Sequence, residues 1–214
     1  MTRILRPFAL SLLLACASHQ ASAQAAATAA AAAPEPRLLV KYTFENIPAH
    51  IPDWGAGHGS TYKPATGWKT PFTVKLDATD PHSGTDSLRI QILETTNGEK
   101  IVHTPSIPLP EADAAAASPG KVIVHLYARA EGLLESGAAV RILERDASNK
   151  PIGFLAHKQK LATIKSSDTW QEITAQGTLN PRTRNFSLMI VLDREQTPAT
   201  VWIDDISIEL QPAQ

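Results

Sequence analysis

Leu88, Ile90 and Ile92 alternate with Arg89 and Gln91, and the same period of two recurs along most of the chain. Val122, Val124, Leu126 and Ala128 alternate with Ile123, His125, Tyr127 and Arg129; Phe186, Leu188, Ile190 and Leu192 alternate with Ser187, Met189, Val191 and Asp193. Successive strand side chains point to opposite faces, so this pattern predicts strands with one buried side. Further strands fit 38–45, 71–77, 100–107, 138–144, 152–158 and 170–178. Turn clusters such as Asn97-Gly98, Ser118-Pro119-Gly120 and Asn180-Pro181 separate them. No long stretch has helical period. About ten strands joined by hairpin-type connections, without crossover helices, predict an all-β fold: an antiparallel β-sandwich of jelly-roll type. One connection breaks the rhythm. Residues 46–71, after the first strand, are rich in Gly and Pro and carry Trp54, Tyr62 and Trp68. Long loops with this many large aromatics are more often functional than disordered.

The stretch TVWIDDISIEL, residues 200–210, reads as a final strand. Uninterrupted alternation would put Asp204 on one face with Trp202, Ile206, Ile208 and Leu210, and Asp205 on the other with Val201, Ile203 and Ser207. A carboxylate on an apolar face needs a cation, good hydrogen bonds or a raised pKa. No Lys or Arg lies within this stretch. First and last strands of a sandwich often meet, which would bring Glu45 to Asp204. Two carboxylates with loop carbonyls suit Ca²⁺. The alternative is that Asp204 or Asp205 caps backbone N–H groups at the rim.

Composition narrows the setting. Residues 1–23 predict a cleaved signal peptide: Arg3 and Arg6, a short apolar core and an Ala21-Ser22-Ala23 box. A rival signal, Leu13-Leu14-Ala15-Cys16, resembles a lipobox and would anchor the protein by lipid at Cys16. The expected location is therefore secreted or periplasmic, with an outer-membrane lipoprotein as the alternative; the apolar core is too short to span a bilayer. Residues 24–37, almost all Ala and Pro, predict a disordered spacer, and 38–212 the single sandwich domain. Cleavage after Ala23 leaves 18 basic against 21 acidic residues, which excludes an electrostatic footprint for nucleic acid. It also leaves no cysteine, hence no disulfide or Cys nucleophile. GxSxG, HExxH, GxGxxG and P-loop signatures are absent.

Five segments in order carry a family resemblance: YTFENIP (42–48), the Gly-rich loop with Trp54, HSGTDSLRI (82–90), SSDTWQEITAQGTL (166–179) and TVWIDDISIEL. Together they resemble carbohydrate-binding modules of the family 4, 9 and 22 type, jelly rolls related to galactose-binding-like domains. The resemblance implies a structural Ca²⁺ held by Glu45, a carbonyl at Thr85, and Asp204. It also implies a poly- or oligosaccharide partner. Sugars present apolar C–H faces and hydroxyls, so rings and polar groups should converge where one binds. Trp54, Tyr62 and Trp68 suit this, with Tyr127, Arg129, Arg141 and His125 expected to line a concave face; Trp170 and Trp202 are expected in the core. The reading is an exported, non-catalytic carbohydrate-binding protein. The alternatives are a jelly-roll polysaccharide lyase or glycoside hydrolase, and an envelope structural or adhesion protein without sugar specificity.

Overall fold

The computed structural model describes residues 34–45, 55–58, 72–93, 100–152, 160–192 and 198–213. The signal-peptide, lipobox and spacer expectations up to residue 33, Trp54, Tyr62, Trp68, and the strand expected at 152–158 beyond Ile152 lie outside these residues.

The described chain forms strands β1 (Arg37–Tyr42), β2 (Gly55–His58), β3 (Phe72–Asp77), β4 (Ser87–Ile92), β5 (Lys100–His103) and β6 (Ile107–Pro108), one helical turn α1 (Glu111–Ala114), then β7 (Lys121–Glu131), β8 (Ala138–Arg145), β9 (Lys160–Ile164), β10 (Ser167–Thr178), β11 (Asn185–Leu192) and β12 (Ala199–Gln211). They make two six-stranded sheets. One runs β10-β7-β12-β4-β3, with β1 also on β12; the other runs β2-β5-β11-β8-β9, with β6 also on β11. All pairings are antiparallel. The fold is an all-β jelly-roll sandwich.

The alternation explains the core. Val122, Val124, Leu126, Ala128 and Ala130 of β7 face Ala138, Val140 and Ile142 of β8 and Phe186, Leu188, Ile190 and Leu192 of β11 across the sandwich, all at most 1% exposed. First and last strands do meet: the C-terminal half of β12 pairs with β1, Tyr42 opposite Ile206, while its N-terminal half pairs with β4.

β12 departs from simple alternation. Its register against β7 shifts between Asp204 and Ser207, and Asp205 sits at φ 47°, in the left-handed region that Asp tolerates better than most residues. Val201 and Ile203 point into the core before this bulge, and Ile206, Ile208 and Leu210 after it. Trp202 and Asp204 instead share the outer face of the sheet with their partners Arg129 and Tyr127. The expected common face of Asp204 with Ile206, Ile208 and Leu210 is thus corrected: one extra residue changes which face every later side chain occupies. Asp204 is nonetheless fully buried.

Gly55-Ala-Gly-His58 carries no apolar alternation, yet pairs as edge strand β2 with β5, Gly55 opposite His103. Backbone pairing alone selects it, so periodicity could not reveal it.

Candidate functional site

What buries Asp204 is the loop between β3 and β4. Residues 78–86 fold back over the outer face of the β12 sheet, held by acids at both sides. Asp77, the last residue of β3, is one anchor. Its Oδ2 accepts from Trp202 Nε1 at 2.9 Å and Arg89 Nη1 at 3.0 Å, and its Oδ1 from the N–H (3.1 Å) and hydroxyl (2.7 Å) of Thr79. Burial pushes its carboxyl up, but the Thr79 and Trp202 donors and the Arg89 charge override this and hold it far below the usual carboxylate range.

Next in the loop, Asp80 Oδ2 accepts from Arg129 Nη1 at 2.7 Å. The Arg129 guanidinium lies 4.3 Å from the Trp202 ring centre and 5.8 Å from that of Trp170, a cation between two indoles. His82 then stacks on Tyr127 with ring centres 3.5 Å apart, meets Trp170 edge-on at 5.8 Å, and shares a 2.8 Å Nδ1 hydrogen bond with Asp205 Oδ2. Burial raises the Asp205 carboxyl; the donors His82 and Ser83 and the charges of His82 and Lys41 outweigh that and lower it.

The three positions expected at the calcium site converge on this turn. Asp204 Oδ2 accepts from the N–H groups of His82 (3.1 Å) and Ser83 (3.2 Å), and its Oδ1 from that of Asp205 (2.8 Å). On the other side, Glu45 accepts from the Thr85 N–H at 2.9 Å and the Thr85 hydroxyl at 2.7 Å. Those Thr85 donors lower the Glu45 carboxyl. Gly84, at φ 62°, lies between the two clasps, and a Cβ there would overlap Glu45 Oε1, so both backbone conformation and space require glycine. Asp204 is different: burial pushes its carboxyl up, and the N–H groups of Ser83, Asp205 and His82 offset this only in part. Among the described residues neither Glu45 nor Asp204 has a basic partner. No three His, Cys, Asp or Glu side chains among them form a metal cage.

The residues expected on one concave face are split. Tyr127, Arg129 and His125 lie on the outer face of the β12 sheet. Arg141 lies on the outer face of the β11 sheet, opposite Met189. The sandwich core separates them, because β7 and β8 are consecutive but belong to different sheets. Tyr127 carries the His82 ring, and Arg129 is engaged by Asp80 and the two indoles. Trp202 is buried, but on this outer face rather than in the core; Trp170, beside Arg129, is half-buried. Sequence reasoning missed Asp77 and His82. An acid ending one strand and a histidine in a turn carry no local signal, since their partners lie 125 and 123 residues away.

The outer face of the β11 sheet differs in kind. Ala139, Leu143, Met189 and Val191 form a second apolar cluster with Ile101. A row runs across it from strand to strand: Lys160 opposite Arg141, Arg141 opposite Met189, Met189 opposite His103, His103 opposite Gly55. Arg145, on the same face of β8, donates Nη1 to Ser187 Oγ at 3.1 Å.

Among solved structures, the fold is similar to the xylan-binding CBM22-1 domain of Paenibacillus barcinonensis Xyn10C, at TM-score 0.50 and 15% identity over 86% of this chain and 100% of that one. The CBM22-1-GH10 modules of Clostridium thermocellum Xyn10B, solved with xylohexaose, align at TM-score 0.51 and 13% identity over 80% of this chain and 28% of theirs. The enzymatically active domain of bacteriophage CBA120 tailspike protein 4 aligns at TM-score 0.52 and 11% identity over 76% of this chain and 20% of its own. No family model and no curated protein matches the chain. The shared property at these identities is the jelly-roll fold. No helix among the described residues is long and apolar enough to cross a membrane.

Proposed function

We propose that the protein is exported and binds carbohydrate without cleaving it, on the outer face of the β11 sheet. The observation that carries this reading is β2. The edge strand of that sheet is flanked in sequence by Trp54 on one side and by Tyr62 and Trp68 on the other. Strand pairing fixes β2 itself, which lies between these aromatics in sequence, on the sheet whose outer side carries Arg141 beside the buried Met189 and Leu143. Apolar groups next to hydrogen-bond donors are the combination a sugar ring needs. The N-terminal charge and apolar pattern supports export, and xylan-binding domains have the same fold. In this reading Tyr127 and Arg129 hold the 78–86 loop and do not touch the ligand. In affinity electrophoresis against a panel of soluble polysaccharides, Trp54→Ala and Trp68→Ala should each weaken retention about tenfold or more, as aromatic stacking contributes on the order of 1–2 kcal/mol. Their melting temperatures should match the wild type, and no reducing ends should be released. Retention unchanged in both variants would overturn the reading.

We further propose that Ca²⁺ stabilises the loop clasp. What supports this is the chemistry and charge of two carboxylates at the turn, Glu45 and Asp204, both in the field of Asp205 and without a basic partner among the described residues; the Thr85 carbonyl would be a third oxygen ligand. Bound there, the ion would supply charge neutralisation and tie the two chain ends together. Calcium should then raise the melting temperature by several degrees and EDTA reverse it, an effect expected of any ligand bound only by the folded state. A melting temperature indifferent to both would mean that the N–H groups alone close the clasp.

A further inference from the structure

We infer that the rim of the β12 sheet carries a second ligand site, a small preformed pocket for a polyhydroxy carboxylate, that is, a free sugar acid such as a uronate. It lies on the opposite sheet from the carbohydrate face proposed above and does not depend on it.

The pocket forms where three strand ends meet. Thr178, the last residue of β10, lies opposite Lys121, the first of β7, and Lys121 lies opposite Gln211, the last of β12. The Ser118-Pro119-Gly120 turn leads into β7 beside them. Gly120 sets how closely this turn approaches. Its φ is 106°, its carbonyl accepts from the Leu179 N–H at 3.0 Å, and a Cβ there would overlap the Gln211 carbonyl and crowd the Pro212 backbone. Both the backbone conformation and the space therefore require glycine. The turn, Pro34 and Pro212 enclose a concavity of about 300 Å³. That is the lower end of the range for small-ligand sites, so it suits a small molecule rather than the length of a polymer.

The chemistry of the lining is one-sided. Ser118, Thr178, Gln211 and Lys121 bring two hydroxyls, an amide and an ammonium to it, and no acid is among the lining residues. Among the described residues none of these four side chains is held by an ion pair or a side-chain hydrogen bond. An ammonium can only donate, whereas hydroxyls and an amide donate or accept. Donors are thus in excess, and a carboxylate is the group that complements them. Ligand hydroxyls match the hydroxyl and amide groups, and the two prolines offer apolar surface to a ring's C–H groups. A neutral sugar would leave the ammonium without a counter-charge, which complementary potential disfavours. A solvated lysine alone selects nothing; here the backbone around it is fixed at Gly120, so less ordering has to be supplied on binding.

Amide NMR titrations of the protein with glucuronate, glucose and acetate test this. Glucuronate and glucose share a ring and differ in charge, and acetate has the charge without the ring. Glucuronate should give saturable shifts at Ser118, Gly120, Lys121, Thr178 and Gln211, leave β8 and β11 unmoved, and bind more weakly as salt rises. Glucose and acetate should each bind at least about tenfold more weakly, the usual worth of a charge-assisted hydrogen bond or of the hydroxyl contacts together. Lys121→Gln should lose a similar factor for glucuronate with the rest of the spectrum unchanged. Lys75→Gln, at an exposed lysine of β3 in the same sheet, should lose nothing. Glucose or acetate binding as tightly as glucuronate would overturn the inference, and so would shifts centred elsewhere or no saturation with any of the three. Those outcomes leave polysaccharide retention by the other face untouched, and Trp54→Ala should keep full glucuronate binding.

Discussion

Asp77→Ala is expected to destabilise the protein by about 3 kcal/mol, lowering the melting temperature by roughly 10 °C for a domain of this size. One carboxylate, 8% exposed, accepts from the Trp202 indole, the Arg89 guanidinium and both donors of Thr79. Truncation leaves a largely buried guanidinium and an indole N–H without acceptors, and their desolvation is then uncompensated. The same group sets an acid limb. Its folded-state carboxyl is held far below its ordinary 3.8, so its stabilisation is present above that value and lost as pH falls through the folded pKa. Urea midpoints measured from pH 7 down to pH 2 should drop steeply below about pH 4 in the wild type. Asp77→Asn, which keeps an acceptor but has no charge to lose, should give a flatter limb. Superimposable profiles would remove Asp77 from this role.

The second large effect is expected at Asp204. Its side chain is fully buried and both oxygens accept backbone N–H groups, from His82 and Ser83 on one and from Asp205 on the other. Asp204→Ala should cost on the order of 3 kcal/mol, as three amides lose their acceptor. Asp204→Asn should not rescue it, because the amide nitrogen would face an N–H whichever way it is turned. Hydrogen exchange localises the effect: protection should fall at His82, Ser83 and Asp205 and persist in β8 and β11. The pH dependence runs opposite to that of Asp77. Burial raises the Asp204 carboxyl, so its contribution is fully present below its unfolded value and is lost as pH rises through the folded one. Asp204→Asn with wild-type stability and protection would show that the clasp does not hold the loop.

The strands of this protein were legible in its sequence because the core side of a sandwich strand takes every second residue, and on β4 and β7 the other face is more exposed, which makes the period of two plain. β8 and β11 keep core residues at every second position although much of their outer face is apolar and buried as well. The meeting of β1 with β12 followed from fold class, and with it the approach of Glu45 to the turn that Asp204 also holds. Alternation, however, is blind to a bulge. One residue at φ 47° moved Asp204 off the face that pattern assigned to it, and no local feature of Ile203-Asp204-Asp205-Ile206 marks the slip. Periodicity likewise placed Tyr127, Arg129 and Arg141 outside the core but could not tell that β7 and β8 diverge into different sheets. Which outward residues become neighbours is a property of strand order, and strand order is decided by pairing between segments distant in the chain. The loop at 78–86 makes the same point: Asp77, Asp80 and His82 find their partners on β7 and β12, which only the closed sandwich brings within reach. Sequence by itself determined the class of fold and the set of outward-facing side chains; tertiary structure alone decided which of them share a surface, and so which face can meet a ligand.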